Sequence, residues 1–416
     1  MVTELNPPAH SASLGIFIET GTRHEPPDLM GVSHFLEHLV FKGTKKRDSY
    51  ELVRALEAVG GELNAYTTRE FTCYHTNTLH EDVELAADIL SDIVRNATFP
   101  KEEFERERSV VLQEIAQSGD DVEDSVQDMF LESYFKGSSL GFDTLGTEET
   151  IGKMRRKQVL DYYNRYYGAE RMTVALSGRF DHDRVVQQLD STLGRRGTQR
   201  RQKALPRPRP RRFARVIQRE LEQVHFVLGF PTTSFKDRLR FEAFVLNALL
   251  GGGMTSKLYQ RVREDRGLVY SIYSQLLTFT DCGLCLVYAS TTPENLRKVM
   301  SLVIDELENL KERGLRPGEL SLFRTQVRGA LLLGSEEIEG RMTSLGVNEM
   351  VFRKYRPVQD VIREVEAVNE DTLARYLKQR YRPAQASVLL MGPVSEADRD
   401  WLSSRLRRPV EEEHWK

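Results

Sequence analysis

Thr173-Val174-Ala175-Leu176-Ser177-Gly178 returns later in the chain as Ser387-Val388-Leu389-Leu390-Met391-Gly392, and that recurrence decides the fold. Each copy follows a helical pattern, one running from Ile151 to Tyr167 and the other from Val365 to Tyr381. The offset is constant, because 392 − 178 and 381 − 167 both give 214. Further upstream, Gly60-Gly61-Glu62-Leu63-Asn64-Ala65-Tyr66 has a counterpart in Arg266-Gly267-Leu268-Val269-Tyr270-Ser271-Ile272, where 266 − 60 gives an offset of 206. Two tandem copies of one fold explain these matches. Within a copy, alternating apolar stretches over 14–19, 71–78 and 172–177 read as strands. They are interleaved with helical patterns over 50–59, 83–94 and 100–117. Each domain is therefore expected to be a sheet packed with helices, of α+β class.

The chain has 416 residues, 40% of them hydrophobic, which is enough to build two cores. The division falls at 195–212, where alternating Pro and Arg (Pro206-Arg207-Pro208-Arg209-Pro210) favour an extended, solvated linker. Residues 1–194 and 213–416 are then the two domains. The linker lacks an aromatic residue on which a base could stack, and 59 Lys and Arg against 62 Asp and Glu leave a net charge of −3. No nucleic-acid or membrane partner is expected. No apolar run approaches the roughly 20 residues that span a bilayer, and the first residues show no export signal. A cytoplasmic location follows as the expectation. Three cysteines, Cys73, Cys282 and Cys285, are too few for a disulfide scaffold. Cys282 and Cys285 read as filling of a buried strand over 283–289, and His75 and His225 likewise read as packed strand residues.

Chemistry is concentrated in His34-Phe35-Leu36-Glu37-His38. On a helix over 32–41, His34, Glu37 and His38 stand at i, i+3 and i+4 on one face, while Phe35, Leu36, Leu39 and Val40 are apolar. Two imidazoles one turn apart can share a tetrahedral zinc, and the carboxylate beside them can act as general base toward water. The His-x-x-Glu-His order is the inverse of the commoner zinc-protease motif. A third donor is offered by the helix opened by Pro100, which carries Glu107 and Glu114 seven residues apart on one face. Glu114, between Val111 and Ile115, is expected to point inward, where a buried charge needs a partner or a metal.

Together with Gly60 to Thr67, Arg263 and Tyr270, these residues resemble the pitrilysin and mitochondrial-processing-peptidase family of zinc peptidases, over nearly the whole chain. The resemblance implies two similar domains, each with a mainly antiparallel sheet. It also implies one zinc per chain, held by His34, His38 and Glu114, with Glu37 as base and Glu107 supporting the site from behind. Asn64 and Ala65 match the edge strand that receives the substrate backbone by strand addition. Arg263 and Tyr270 match the pair that binds substrate and steadies the tetrahedral intermediate. Without the resemblance, that segment reads as a strand entry with a core tyrosine.

The resemblance further implies that a chain of this length pairs into a dimer enclosing a chamber for short or unfolded peptides. A homodimer is expected, and a heterodimer is the alternative. The second domain has Phe244 to Leu250 where the motif would stand, and is expected to hold no metal. Gly251-Gly252-Gly253-Met254 reads as a turn between helices. The chain opens at Met1-Val2-Thr3-Glu4 where the family usually has a preceding strand with an Asn-Gly turn, so a truncated or mis-called start is expected, and any targeting segment would be missing with it. The rival reading is a non-catalytic or partner-dependent subunit of a processing-peptidase-like assembly.

Overall fold

The first unit is built on strands β1 (Val2–Leu5), β2 (Ser11–Ile18), β3 (Glu62–Thr67), β4 (Thr72–Leu79) and β5 (Met172–Gly178), in the spatial order β1-β5-β2-β4-β3. The second is built on β6 (Ala214–Gln218), β7 (Val224–Pro231), β8 (Ile272–Thr278), β9 (Gly283–Thr291), β10 (Ser387–Met391) and β11 (Glu411–His414), in the order β11-β6-β10-β7-β9-β8. With β11 set aside, the second sheet repeats the first strand for strand. Pairing is antiparallel except β1 with β5, β6 with β10 and β11 with β6. The α+β class read from the sequence is thus observed. The computed structural model describes residues 1–194 and 205–415. Of the expected linker, 195–204 lies outside the described residues, and 205–212 carries neither helix nor strand.

The glycines that close the repeated stretch have a common physical cause. Gly178 adopts φ +117°, and a Cβ there would lie 2.4 Å from Ser11 O and 2.7 Å from Ala12 Cα. Gly392 adopts φ +136°, and a Cβ there would lie 2.5 Å from Gln223 O and 3.0 Å from Val224 Cα. In both sheets the strand ends by crossing a neighbouring backbone at a distance that excludes a side chain.

The second match fares differently. Thr67 pairs with Thr72 across one hairpin and Thr278 with Gly283 across the other, and 278 − 67 and 283 − 72 both give 211 rather than 206. Three residues of the slip arise because the connection into β8, 265–271, is longer than 58–61, the connection into β3. Tyr270 therefore precedes its strand instead of matching Asn64. The opening residues form β1.

Each sheet buries one face against helices of its own half of the sequence. In the first unit, Phe35, Leu36 and Leu39 of the Val32–Leu39 helix join Ile89, Leu90 and Ile93 of the Val83–Asn96 helix over β2 and β4. The other face is covered from elsewhere. The Ile338–Phe352 helix packs Met342 and Leu345 against Val2, Phe17, Cys73 and Ala175. In the second unit, Phe130 of the Val122–Tyr134 helix stands over Gly229 of β7. The compact units accordingly depart from the expected boundaries: 1–118, 138–206 and 333–356 form the first, and 119–137, 207–332 and 357–416 the second. Apolar contact decides this membership, since both sheets have two faces to bury.

Among the described residues, no helix is long and apolar enough to cross a membrane.

Candidate metal centre

The Val32–Leu39 helix is amphipathic in an unusual sense, because its solvent-side stripe is His34, Glu37 and His38. The helix Lys101–Asp120 runs beside it and contributes Glu107 and Glu114. His34 Nε2 and His38 Nε2 lie 3.3 Å apart, and Glu114 Oε2 lies 3.6 Å from the first and 3.5 Å from the second. A tetrahedral zinc with bonds of roughly 2.0–2.2 Å places its donor atoms about 3.3–3.6 Å apart. The triangle thus has the edge lengths such an ion requires.

The electrostatics point the same way. Burial pushes the His34 imidazole down to about 4, helped by His38 close by, so it is neutral near pH 7. His38 Nδ1 lies 3.2 Å from Glu107 Oε2, an arrangement that places its proton on Nδ1 and turns the Nε2 lone pair toward the triangle. Burial opposes charging of His38, but Glu107, Glu114 and Glu37 together raise its pKa. Two nitrogen lone pairs and a carboxylate oxygen converging at these distances repel one another, and a cation among them removes the repulsion.

Glu107 is the buried carboxylate of the pair, with its side chain 5% exposed, and Lys42 Nζ lies 2.8 Å from its Oε1. Burial opposes its ionisation, yet the bonds from His38 and Lys42 hold its pKa below the ordinary value. Glu114 corrects the sequence expectation: its side chain is 37% exposed, with Oε2 at the rim beside the two histidines rather than drawn into the core. Glu37 accepts a 2.5 Å hydrogen bond from Thr67 Oγ1, and burial raises its carboxyl above the usual range despite that bond. A carboxylate raised in this way is a stronger base toward water than an exposed one.

Asn64 and Ala65 lie on β3, which has a paired neighbour on one side only among the described residues. Its outer edge can receive another strand. Arg263 and Tyr270 belong to the second unit. Arg263 lies in the short π-helix Tyr259–Glu264, and its guanidinium sits 4.7 Å from the Tyr259 ring centre and 5.7 Å from that of Tyr270. Tyr270 is 80% exposed, so the core-tyrosine reading fails: the residue precedes β8 and its ring never enters the sheet.

Lys42 belongs to no motif in the sequence, and Thr67 enters there only as the end of the Gly60–Thr67 stretch, with no role of its own. Lys42 stands four residues after His38, a helical spacing that could have flagged it. The remaining motif candidates behave as packing. Cys73, Cys282 and Cys285 are buried thiols, His75 lies 3.6 Å from Glu339, and His225 Nδ1 lies 2.9 Å from Tyr288 Oη.

Residues 1–148 match the family described as Insulinase (Peptidase family M16), and 153–327 match the Peptidase M16 inactive domain. A Mycobacterium tuberculosis protein named as an uncharacterized zinc protease is 38% identical over 388 residues, 91% of this chain and 89% of the relative. One from Streptomyces coelicolor, named likewise, is 36% identical over 418 residues, 99% of this chain and 90% of the relative. The crystal structure of a peptidase M16 inactive domain from Pseudomonas fluorescens superposes with TM-score 0.87 at 16% identity, covering 94% of this chain and 95% of that one, a likeness of fold.

Proposed function

The chain belongs to the insulinase family of peptidases in its single, half-size form, and from that premise we propose that it is a zinc-dependent endopeptidase acting on short or unfolded peptides. The observation that carries the reading is the donor triangle of His34, His38 and Glu114, whose edges of 3.3, 3.6 and 3.5 Å fit tetrahedral zinc. Zinc bound there supplies Lewis acidity toward a peptide carbonyl and a lowered pKa for water.

The remaining steps belong to the protein. The substrate backbone adds to the outer edge of β3 beside Asn64 and Ala65, which orients the peptide through main-chain bonds. Glu37 takes a proton from the attacking water and passes it to the leaving amine, while Thr67 fixes its carboxylate. Glu107 holds His38 in the tautomer that presents Nε2. Arg263 and the exposed Tyr270 are the donors that steady the oxyanion. In a dimer that encloses a chamber, the second subunit would supply this pair to the first. All four of His34, Glu37, His38 and Glu114 are present, which favours this reading over a non-catalytic subunit.

The test separates base from ligand. Glu37→Gln should keep zinc while lowering kcat by about 10²–10⁴-fold, and His38→Ala or Glu114→Ala should lose the metal as well. Equal zinc loss in all three variants would sink the assignment.

A further inference from the structure

The two histidines are held differently. His38 has Glu107 on its Nδ1, whereas His34 Nδ1 is buried and has no hydrogen-bond partner among the described residues. The orientation of His34 therefore depends on the backbone that carries it. That backbone is a helix of eight residues, a length that is marginal without tertiary support. His34 lies in its first turn, where N–H groups lack intrahelical partners.

The helix cannot supply its own cap. Gly31 at the N-cap adopts φ +89°, and a Cβ there would lie 2.5 Å from Leu145 O and 2.8 Å from Gly146 Cα. A capping Ser, Thr or Asp is thereby excluded. The cap comes from Glu25 instead, a residue only 4% exposed. Its Oε2 accepts from Gly31 N–H and its Oε1 from Ser33 N–H, both at 2.7 Å. Ser33 immediately precedes His34, and its hydroxyl meets Tyr162 Oη at 3.2 Å. Water has no access to replace these bonds.

We infer that Glu25 is a positioning residue for the metal centre: by clamping Gly31 and Ser33 it sets the place of His34 Nε2 relative to His38 and Glu114. The inference rests on the zinc reading above. Glu25→Gln keeps the size of the side chain but turns one acceptor into a donor facing an N–H group. Glu25→Asp keeps the charge and shortens the reach.

The experiment uses the full chain stripped of metal. Zinc dissociation constants come from competition with a chelator, and ligand geometry from the visible spectrum of the Co²⁺-loaded protein. Glu25→Gln should weaken zinc by about 10–100-fold and shift the Co²⁺ bands. Tyr162→Phe removes a hydroxyl from the same buried network but leaves both backbone bonds, and should change affinity less than about twofold. If Glu25→Gln fails to fold, Glu25→Asp carries the comparison, with the same direction expected. Lowered melting temperature with unchanged zinc affinity and unchanged Co²⁺ bands would overturn the inference, since it would make Glu25 a stabilising residue only. A wild-type chain that binds no zinc would instead sink the zinc reading itself.

Discussion

Removing the Glu107 carboxylate should weaken zinc without touching a ligand. In Glu107→Ala, His38 loses the acceptor 3.2 Å from Nδ1, and Lys42 loses the partner 2.8 Å from its ammonium. With the Glu107 side chain 5% exposed, solvent cannot take its place, and both tautomers of His38 become accessible. Losses of this kind weaken metal binding by about 10–100-fold, which corresponds to about 1.4–2.7 kcal/mol. Glu107→Gln keeps a carbonyl that can accept from Nδ1, so it should fall near the tenfold end. Lys42→Met alone should matter less, because His38 keeps its acceptor. Chelator competition on the purified variants at one pH gives the three constants, and far-UV circular dichroism checks that the helices persist. Zinc affinity within twofold of wild type in Glu107→Ala would refute the argument that His38 is oriented through its Nδ1.

Thr67→Val should retain zinc but lower kcat about tenfold, with Thr67→Ser largely restoring it, because the hydroxyl holds Glu37; zinc loss in Thr67→Val would instead assign Thr67 to the fold. His24 is pushed down to about 4, by burial first and then by Arg23 and Arg171, while its Nδ1 accepts from Gly21 N–H at 3.3 Å. The unfolded chain takes up that proton near pH 6.5 and the folded one only near 4, so stability is full above 6.5 and lost as pH falls toward 4, by on the order of 3 kcal/mol. Denaturant melts across that range should show a slope shallower by about one proton in His24→Asn, and an unchanged slope would contradict the assignment. Mixing His38→Ala with Tyr270→Phe should restore activity toward half of wild type per mixed dimer, since one site then holds both defects and the other neither; no recovery after subunit exchange seen by mass spectrometry would place Tyr270 with its own chain or outside the reaction. An unfolded protein should be cut much faster than the same sequence held in a stable fold, and equal rates would contradict a chamber.

What the sequence disclosed follows from where its signals are local. His34, Glu37 and His38 fall within five residues, so helical geometry alone puts them on one face. The glycines at 178 and 392 stand out because the same backbone crossing excludes a side chain in both sheets. Glu25 and Thr67 meet the motif helix only after the chain has folded back, and no periodicity links positions 25, 33, 37 and 67. The exposed rim position of Glu114 escaped for a related reason. The apolar neighbours Val111 and Ile115 fix the helix face, whereas the long carboxylate arm follows the two imidazoles. The slip from 206 to 211 came from matching composition across connections of unequal length, where hairpin register carries no local signature.

The helices Val122–Tyr134 and Ile338–Phe352 each complete the unit built mainly by the other half of the sequence. A gene divided within 195–204 would therefore not yield two independent proteins. The first product would lack Met342 and Leu345 over Phe17 and Ala175, and the second would lack Phe130 over Gly229. Each would present a bare apolar sheet face and a homeless helix, a recipe for inclusion bodies when made alone. Made together, the two pieces have every reason to find each other, so the exchanged helices make this chain a natural candidate for a split-protein reporter.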